Sequence, residues 1–253
     1  MTIVIECEQG SEEWLAARAG AITASRFSSA RSRMKVNRGM RKVGDMTQEA
    51  ESYAQLLAIE RIAGKPLDDT YVTWAMKRGK ELEPIARALY EEHTGVIIET
   101  SGLVLTDDRL FGYSTDGIAF GQPGGIEIKC PAAAEKVAGV WLDPDSVIEE
   151  YRDQIEGGMW INRWEWLDLV VYTPWLASVG KELFIRRIFR DEDRIQALET
   201  DLVAFSRLVA RYESRLRNSD AAAFSPIEMA HQAPLPPESM SMVMTLSVNI
   251  PEF

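Results

Sequence analysis

A short strand of alternating apolar and charged residues is the feature that most constrains the fold of this chain. In residues 126–130, Ile126 and Ile128 alternate with Glu127 and Lys129. Side chains of a strand point alternately to opposite faces, so both charges lie on one face. The Gln-Pro-Gly-Gly segment at 122–125 predicts a hairpin turn. If the turn centres between positions 122 and 123, position 116 lies opposite position 129, and Asp116 joins the two charged residues.

Two carboxylates and one ammonium on one strand face have a chemical use. The side chains of Asp116 and Glu127, with the backbone carbonyl of Ile128, supply the oxygen ligands that Mg²⁺ prefers. Lys129 is then placed to orient or deprotonate an attacking water and to offset developing negative charge. The alternative is an exposed hairpin with a Glu–Lys ion pair, which contributes little energy. An aspartate at hairpin distance favours the metal site.

Composition narrows the class of protein. The 253 residues are 46% hydrophobic and 26% charged, which is typical of a globular protein and excludes a disordered chain or a coiled-coil rod. Two cysteines are too few for a disulfide framework, a four-cysteine zinc site or an iron–sulfur cluster, and they favour a cytoplasmic protein. No apolar run approaches the ~18 residues of a membrane span, and the N-terminus lacks a signal-peptide pattern.

The charge of the chain is distributed unevenly. A net charge of −11 argues against a simple nucleic-acid binder. Between residues 18 and 42, however, basic residues occur without any acidic one. This segment either contacts phosphates while the acidic body repels them, or is a solvated loop. Its basic residues are Arg18, Arg26, Arg31, Arg33, Lys35, Arg38, Arg41 and Lys42.

The order of elements predicts one α/β (α+β) domain over residues 1–218, followed by a C-terminal tail over 219–253. A mixed central sheet of about five strands is expected, flanked by helices. The spacing of apolar residues and of capping residues predicts helices at 12–19, near 23–25, and at 46–63, 72–93, 146–162 and 192–217. Strands are predicted at 96–105, 111–114, 118–120, 126–130, 166–172 and 183–189. Residues 31–45 are predicted to be a loop.

Four segments of the sequence resemble one nuclease family. The pattern Asp116…Glu127-Ile-Lys129 resembles the P-D-(D/E)-x-K nuclease signature, with Thr115 where that pattern often has proline. With the following Cys-Pro it resembles, more specifically, the lambda exonuclease family of phage recombination nucleases. Three further segments match that family in the right order: Trp14-x-x-x-Arg18-x-Gly20-x-Ile22-Thr23-Ala24-Ser25, Gly79-Lys80-x-x-Glu83-x-x-Ala86-Arg87, and Tyr151-x-x-Gln154-Ile155-x-x-x-Met159-Trp160. The resemblance implies a restriction-endonuclease-like core.

The resemblance also implies roles for individual residues. Asp116, Glu127 and the Ile128 carbonyl would bind the metal, and Lys129 would activate water. Glu83 would lie near the metal or its waters, and Gln154 near the nucleophile or the scissile phosphate; from spacing alone both are ordinary polar helix residues. A pocket for a terminal 5′-phosphate is implied at Arg18, Thr23, Ser25 and Ser114, and a DNA-contacting loop at Arg31, Arg33, Lys35 and Arg38.

Spacing alone also allows Arg18 to pack on Trp14, four residues earlier on the same helix face. In one further respect the chain departs from the family. Where the family pocket has a basic residue just after the Cys-Pro pair, this sequence has Glu135, with Lys136 next to it.

The resemblance implies a Mg²⁺-dependent 5′-to-3′ exodeoxyribonuclease, with Mn²⁺ as a substitute metal. Such an enzyme digests one strand of linear double-stranded DNA to mononucleotides and leaves a 3′ single strand for recombination. A homotrimeric ring, double-stranded DNA ends as substrate and a single-strand annealing protein as partner are further implications, in the cytoplasm of a bacterial or phage-infected cell. Two alternatives remain open: a structure-selective or restriction-like endonuclease of the same fold, and a non-catalytic DNA-end-binding module.

Overall fold

Two β-sheets lie between helices in the computed structural model, which describes residues 2–67 and 73–219. The elements up to residue 218 pack as one unit; the predicted tail lies outside the described residues apart from Ser219. In chain order the elements are β1 (Thr2–Ile5), α1 (Glu12–Arg18), β2 (Ile22–Thr23), α2 (Phe27–Arg31), α3 (Gln48–Ala63), α4 (Trp74–Thr94), β3 (Ile98–Glu99), β4 (Leu103–Thr106), β5 (Phe111–Ser114), β6 (Gly117–Ala119), β7 (Gly124–Lys129), α5 (Ala134–Leu142), α6 (Pro144–Asn162), β8 (Trp166–Tyr172), β9 (Leu183–Phe189) and α7 (Glu192–Asn218).

Local capping signals define the helices that carry the N-terminal half. The Ser11 hydroxyl accepts a hydrogen bond from the Trp14 backbone N–H and starts α1, which is the helix predicted at 12–19. Gly64 and Gly95 end α3 and α4 in the left-handed conformation, with φ of 66° and 71°. Pro84 lies inside α4, which continues through it as one helix.

The central sheet has five strands in the order β3-β6-β7-β8-β9. Only the β7–β8 pair is parallel, and the other neighbours are antiparallel. The predicted mixed sheet of about five strands is therefore confirmed. Strands β8 and β9 have the predicted bounds, because each is a single apolar-rich run between turn residues.

A second sheet, in the order β1-β4-β5-β2, was not predicted. Its outer strands, β1 and β2, are short, and each pairs with a strand far along the chain. A local sequence pattern therefore does not reveal them. The segment predicted as one strand at 96–105 divides into β3 and β4. Gly102 lies at this division, where a Cβ would stand 1.9 Å from the Ile5 carbonyl oxygen, so the close approach of β1 requires glycine.

The hairpin that carries the charged strand differs in register from the prediction. Gly117 pairs with Ile126, which places position 116 opposite 127 rather than 129. The pairing is shifted by two residues because the turn begins earlier than predicted. Gly121 adopts φ of 68° there, and the Gln122 N–H donates to the Ala119 carbonyl at 3.1 Å. The predicted convergence of the charged side chains survives this correction.

Two helical regions also differ from the sequence prediction. Helix α5 was not predicted; it is short and contains Gly139, which weakens a helical pattern. The helix expected near 23–25 is a 3₁₀ turn at Ala24–Arg26 that continues into α2. None of the helices in the described residues is both long and apolar enough to span a membrane.

Candidate active site

Strand β7 presents different chemistry on its two faces. Ile126 and Ile128 pack into a core cluster with Ala86 and Tyr90 of α4. Glu127 and Lys129 point to the other face, toward α6, as the alternation predicted. Helices cover both faces, so Glu127 is only 2% exposed. The sheet therefore carries a charged pair into a largely water-excluded position.

Glu127 is held by three donors. Its Oε1 accepts hydrogen bonds from Lys129 Nζ at 2.7 Å and from Gln154 Nε2 at 2.5 Å. Its Oε2 accepts from the Tyr113 hydroxyl at 2.7 Å. The same Lys129 Nζ lies 3.1 Å from Gln154 Oε1, so the lysine, the glutamine and the glutamate form one network. Sequence reasoning missed Tyr113, whose only signal was its place three residues before Asp116.

Asp116 reaches the same region from the turn between β5 and β6. Its Oδ2 accepts a hydrogen bond from the Ile128 backbone N–H at 2.6 Å, which fixes the carboxylate against β7. Burial, followed by the charges of Glu127 and Glu83, holds the pKa of Asp116 well above its ordinary value. The three carboxylates are therefore close enough to act on one another.

Arg87 links helix α4 to this turn. Its Nη2 donates to Glu83 Oε1 at 2.8 Å and to the Asp116 backbone carbonyl at 2.9 Å. Glu83 thus lies at the site, as the resemblance implied. The role of Arg87 was missed, although its spacing of four residues from Glu83 was a usable signal for an ion pair on one helix face.

The charges of this cluster do not balance. When ionised, Asp116, Glu127 and Glu83 bring three negative charges against the positive charges of Lys129 and Arg87. Lys80 also acts on Glu83, but it is largely exposed and pairs with Glu8. Burial raises the pKa of Glu83, and Arg87 offsets this only in part. Excess negative charge in a buried site is the condition that a bound cation relieves.

The donor set fits a hard divalent cation. Asp116 and Glu127 offer carboxylate oxygens beside the backbone carbonyl of Ile128, and oxygen ligands of this kind suit Mg²⁺ or Mn²⁺. Within the described residues, no group of three or more His, Cys, Asp or Glu side chains is arranged to hold a metal ion by itself. A metal at this position would therefore keep several waters or a phosphate oxygen among its ligands, as Mg²⁺ commonly does.

A cavity of about 750 Å³ borders the cluster. Glu83, Asp116, Lys80, Arg87 and Thr115 contribute to its wall. Cavities of roughly 300–1,000 Å³ are typical of sites for small organic ligands. Glu83 and Asp116 therefore face a space large enough for a nucleotide, and its wall carries the cations Lys80 and Arg87 as well as the acids Glu6 and Glu8.

The predicted phosphate-binding residues converge beside the cluster. The Arg18 guanidinium lies 4.3 Å from the Trp14 ring centre, and its Nη2 donates to Thr23 Oγ1 at 3.3 Å. Trp14 Nε1 donates to Ser114 Oγ at 2.7 Å, and the hydroxyls of Thr23 and Ser25 are 3.5 Å apart. The packing of Arg18 on Trp14 and the predicted grouping with hydroxyls occur together.

The basic segment has a more ordered start than predicted. Arg31 is the last residue of α2, and its guanidinium pairs with Asp153 and Asp201, at 2.9 Å for Asp201. Its charge is already neutralised within the fold. Arg33, Lys35 and Arg38 follow in the predicted loop, which is braced by bridges between residues 33 and 46 and between residues 38 and 41.

Comparison with known proteins gives the family. Residues 13–165 match the sequence profile of the YqaJ-like viral recombinase domain. The chain belongs to this family. The expected lambda-exonuclease-like resemblance is confirmed, and membership supports a nuclease function. Among curated proteins, none matches the chain.

Solved structures agree with this assignment. The alkaline exonuclease LHK-Exo from Laribacter hongkongensis is 32% identical with a TM-score of 0.68, covering 83% of this chain and 98% of that one. Its complex with dAMP matches at 33% identity, with the same TM-score and the same coverage. A phage-related exonuclease from Haemophilus somnus 129PT, at 15% identity and a TM-score of 0.60, covers 79% of this chain and 96% of its own and shares the fold.

Proposed function

We propose that this member of the YqaJ-like family is a Mg²⁺-dependent 5′-to-3′ exodeoxyribonuclease that acts on the ends of linear double-stranded DNA. It releases mononucleotides and leaves a 3′ single strand for recombination by strand annealing. One observation carries the proposal. A single short segment, residues 113–116, contributes to both the carboxylate cluster and the Arg18 pocket.

The contacts of this segment alternate between the two sites. Tyr113 binds Glu127 and Asp116 binds the backbone of β7, while Ser114 accepts the hydrogen bond from Trp14 beside Arg18. A terminal phosphate held at Arg18 therefore lies next to the carboxylates. The phosphodiester bond that follows the first nucleotide is the natural one to reach them, which gives a mononucleotide product and a 5′-to-3′ direction.

The residues around the carboxylates divide the work of hydrolysis. Asp116 and Glu127 would hold the metal together with the Ile128 carbonyl. A bound metal would polarise the phosphate and favour hydroxide at neutral pH. Lys129 Nζ, held between Glu127 and Gln154, donates to the attacking water or a phosphate oxygen and offsets developing negative charge. Gln154 and Tyr113 keep Glu127 in one orientation, and Arg87 does the same for Glu83.

The relatives support this proposal. LHK-Exo is described as an alkaline exonuclease and has been crystallised with dAMP, a mononucleotide. The family resemblance adds a homotrimeric ring around the DNA and a single-strand annealing protein as partner. Analytical ultracentrifugation tests the ring, since a species of three times the chain mass is expected, whereas a monomer at working concentration would contradict it.

Digestion of labelled DNA tests the function. The substrates are a linear duplex with a labelled 5′-phosphate, the same duplex with a 5′-hydroxyl, and a closed circle, each with Mg²⁺, Mn²⁺ or EDTA. Loss of the 5′ label as mononucleotide, in Mg²⁺ or Mn²⁺ but not in EDTA, with the circle intact, is expected. Cleavage of the circle would instead indicate an endonuclease. Binding of ends without cleavage in any metal would indicate an end-binding module.

A further inference from the structure

A second arginine stands next to the Arg18 pocket. Arg26 ends the 3₁₀ turn that follows Thr23, and its guanidinium lies 4.4 Å from the ring centre of Tyr53. Its Nε donates to Ser29 Oγ at 3.4 Å. Stacking on an aromatic ring holds a guanidinium in place while leaving its N–H edges free to donate.

The two guanidiniums share one small neighbourhood. Tyr53 connects them, because its hydroxyl accepts from the Thr23 backbone N–H at 3.3 Å while the Thr23 hydroxyl accepts from Arg18. Burial raises the pKa of Tyr53, and the charges of both Arg26 and Arg18 act against this rise. The phenol therefore stays neutral, and two positive charges lie around it.

Nearby carboxylates are engaged elsewhere. In the part of the chain that the structure describes, neither Arg18 nor Arg26 lies within ion-pair distance of an acid. Glu60, the nearby acid, is engaged by backbone N–H groups of Gly20 at 2.8 Å and Leu67 at 3.2 Å. Glu49 reaches Arg26 only through the hydroxyl of Ser29, which donates to it at 2.6 Å. Glu60 acts on Arg18 at longer range, but among the described residues neither guanidinium is paired directly with a carboxylate. Two such guanidiniums with hydroxyls between them make a site for an anion of more than one charge.

We infer that Arg18 and Arg26 together form a subsite that reads the second negative charge of a terminal phosphate monoester. A terminal phosphate carries a charge of about −1.5 to −2 at neutral pH, whereas a phosphodiester within the strand carries about −1. Arg18, with the hydroxyls of Thr23 and Ser25, binds phosphate oxygens in either case. Arg26 adds the interaction that only the dianion satisfies. This inference rests on the proposed function and states how that pocket separates a chain end from the rest of the strand.

A duplex with a methylated 5′-phosphate isolates the second charge, because a methyl phosphate keeps the phosphorus but loses one ionisable oxygen. Binding of duplexes ending in 5′-phosphate, 5′-methyl phosphate or 5′-hydroxyl is measured in EDTA by fluorescence anisotropy, so that cleavage does not interfere. The wild type is expected to bind the phosphate about tenfold more tightly than the methyl phosphate, as for one charge-assisted hydrogen bond.

Variants then divide the pocket between its two arginines. Arg26→Met is expected to reduce the phosphate to methyl phosphate ratio to about twofold, because one charged contact is lost. Arg26→Lys, which keeps the charge, is expected to restore part of the ratio. Arg211→Met, on the exposed face of α7, controls for loss of positive charge alone and should leave the ratio unchanged. Thermal melting of each variant verifies that the fold is intact.

The outcomes separate this inference from the proposed function. An unchanged phosphate to methyl phosphate ratio in folded Arg26→Met overturns the inference, even where the wild type prefers phosphate to hydroxyl. Equal binding of all three ends by the wild type overturns both the inference and the phosphate pocket on which it rests. The digestion of linear and circular DNA tests the nuclease independently, since it does not depend on Arg26.

Discussion

Glu127 and Asp168 are buried carboxylates on the neighbouring strands β7 and β8, each 2% exposed, yet their surroundings differ. Asp168 accepts from Arg187 Nε at 2.8 Å and Nη2 at 2.9 Å, and from the Tyr90 hydroxyl at 2.7 Å. The single negative charge of Asp168 is therefore balanced by one bidentate guanidinium, which also lies 3.6 Å from the Trp166 ring centre.

The surroundings of Glu127 remain unbalanced. Lys129 donates to it, but the charges of Asp116 and Glu83 act in the same cluster, and these two acids line a cavity. The two carboxylates lie on opposite faces of the sheet, since Asp168 pairs in register with Ile126, the neighbour of Glu127. The comparison teaches that burial alone does not mark a functional acid. A cluster of like charges near a cavity is the feature that makes Glu127, and not Asp168, the candidate.

The largest effect is expected from removing the cation beside Glu127. Lys129→Met should lower the rate of cleavage by at least about 10³-fold, because the donor to the attacking water is lost. Duplex binding in EDTA should stay within threefold of wild type. Single-turnover digestion and anisotropy measure the two effects. A variant that cleaves at the wild-type rate, or that no longer folds or binds, would remove Lys129 from the mechanism.

The matched change beside Asp168 should affect stability instead. Arg187→Met keeps the apolar stem on Trp166 but leaves Asp168 without its cation, which should lower the free energy of unfolding by about 2 kcal/mol. The value is below that of a fully buried pair, because the Arg187 side chain is 37% exposed. Urea unfolding checks this, and cleavage by the folded variant should remain within threefold of wild type. A large loss of cleavage without loss of stability would reverse the contrast between the two clusters.

A smaller effect on cleavage is expected at Arg87. Arg87→Met removes the donor that joins Glu83 to the Asp116 carbonyl and should lower the cleavage rate by about tenfold, as for one charge-assisted hydrogen bond. Lys77→Met, on the exposed face of the same helix, is the control and should cleave normally. Equal rates for the two variants would show that Arg87 does not position the site.

The smallest effect concerns pH. A carboxyl group whose pKa is raised in the folded state favours protonation, so stability falls as pH rises from the ordinary pKa toward the raised one. Without metal, Asp116 should therefore contribute a decrease in the free energy of unfolding as pH rises from about 4. Asp116→Asn should lessen this decrease, because burial and its acidic neighbours hold the pKa of Asp116 well above its ordinary value.

Urea titrations in EDTA across this pH range measure the effect. Glu156, whose pKa is raised by burial to about 7, contributes to the same slope. Only the difference between wild type and Asp116→Asn reports on the cluster. Identical slopes for the two proteins would show that the acids do not strain the metal-free fold.

The sequence predicted the charged strand β7 because its signal is local. An alternation of period two is enough to place Glu127 and Lys129 on one face. The register of Asp116 depended on the conformation of one residue, Gly121, and was therefore two positions off. The Arg187 partner of Asp168 follows from the pairing of β8 with β9, for which no local pattern exists.

The second sheet shows the same limit. Strand β2 has two residues, and its partner β5 lies almost ninety positions later in the chain. Helix ends, by contrast, were predicted well, because a capping residue such as Ser11, Gly64 or Gly95 contacts only the backbone of its own helix terminus. The pairing of strands that are distant in the chain could not be predicted from the sequence alone.

Calorimetric titration with Mn²⁺ tests most directly whether the unbalanced cluster is a metal site. Wild type, Glu127→Gln and Arg187→Met are titrated under conditions in which all three are folded. We expect wild type and Arg187→Met to bind Mn²⁺ with equal affinity, and Glu127→Gln to bind at least about tenfold more weakly. Undiminished binding by Glu127→Gln would contradict the central claim, because the metal would then lie elsewhere.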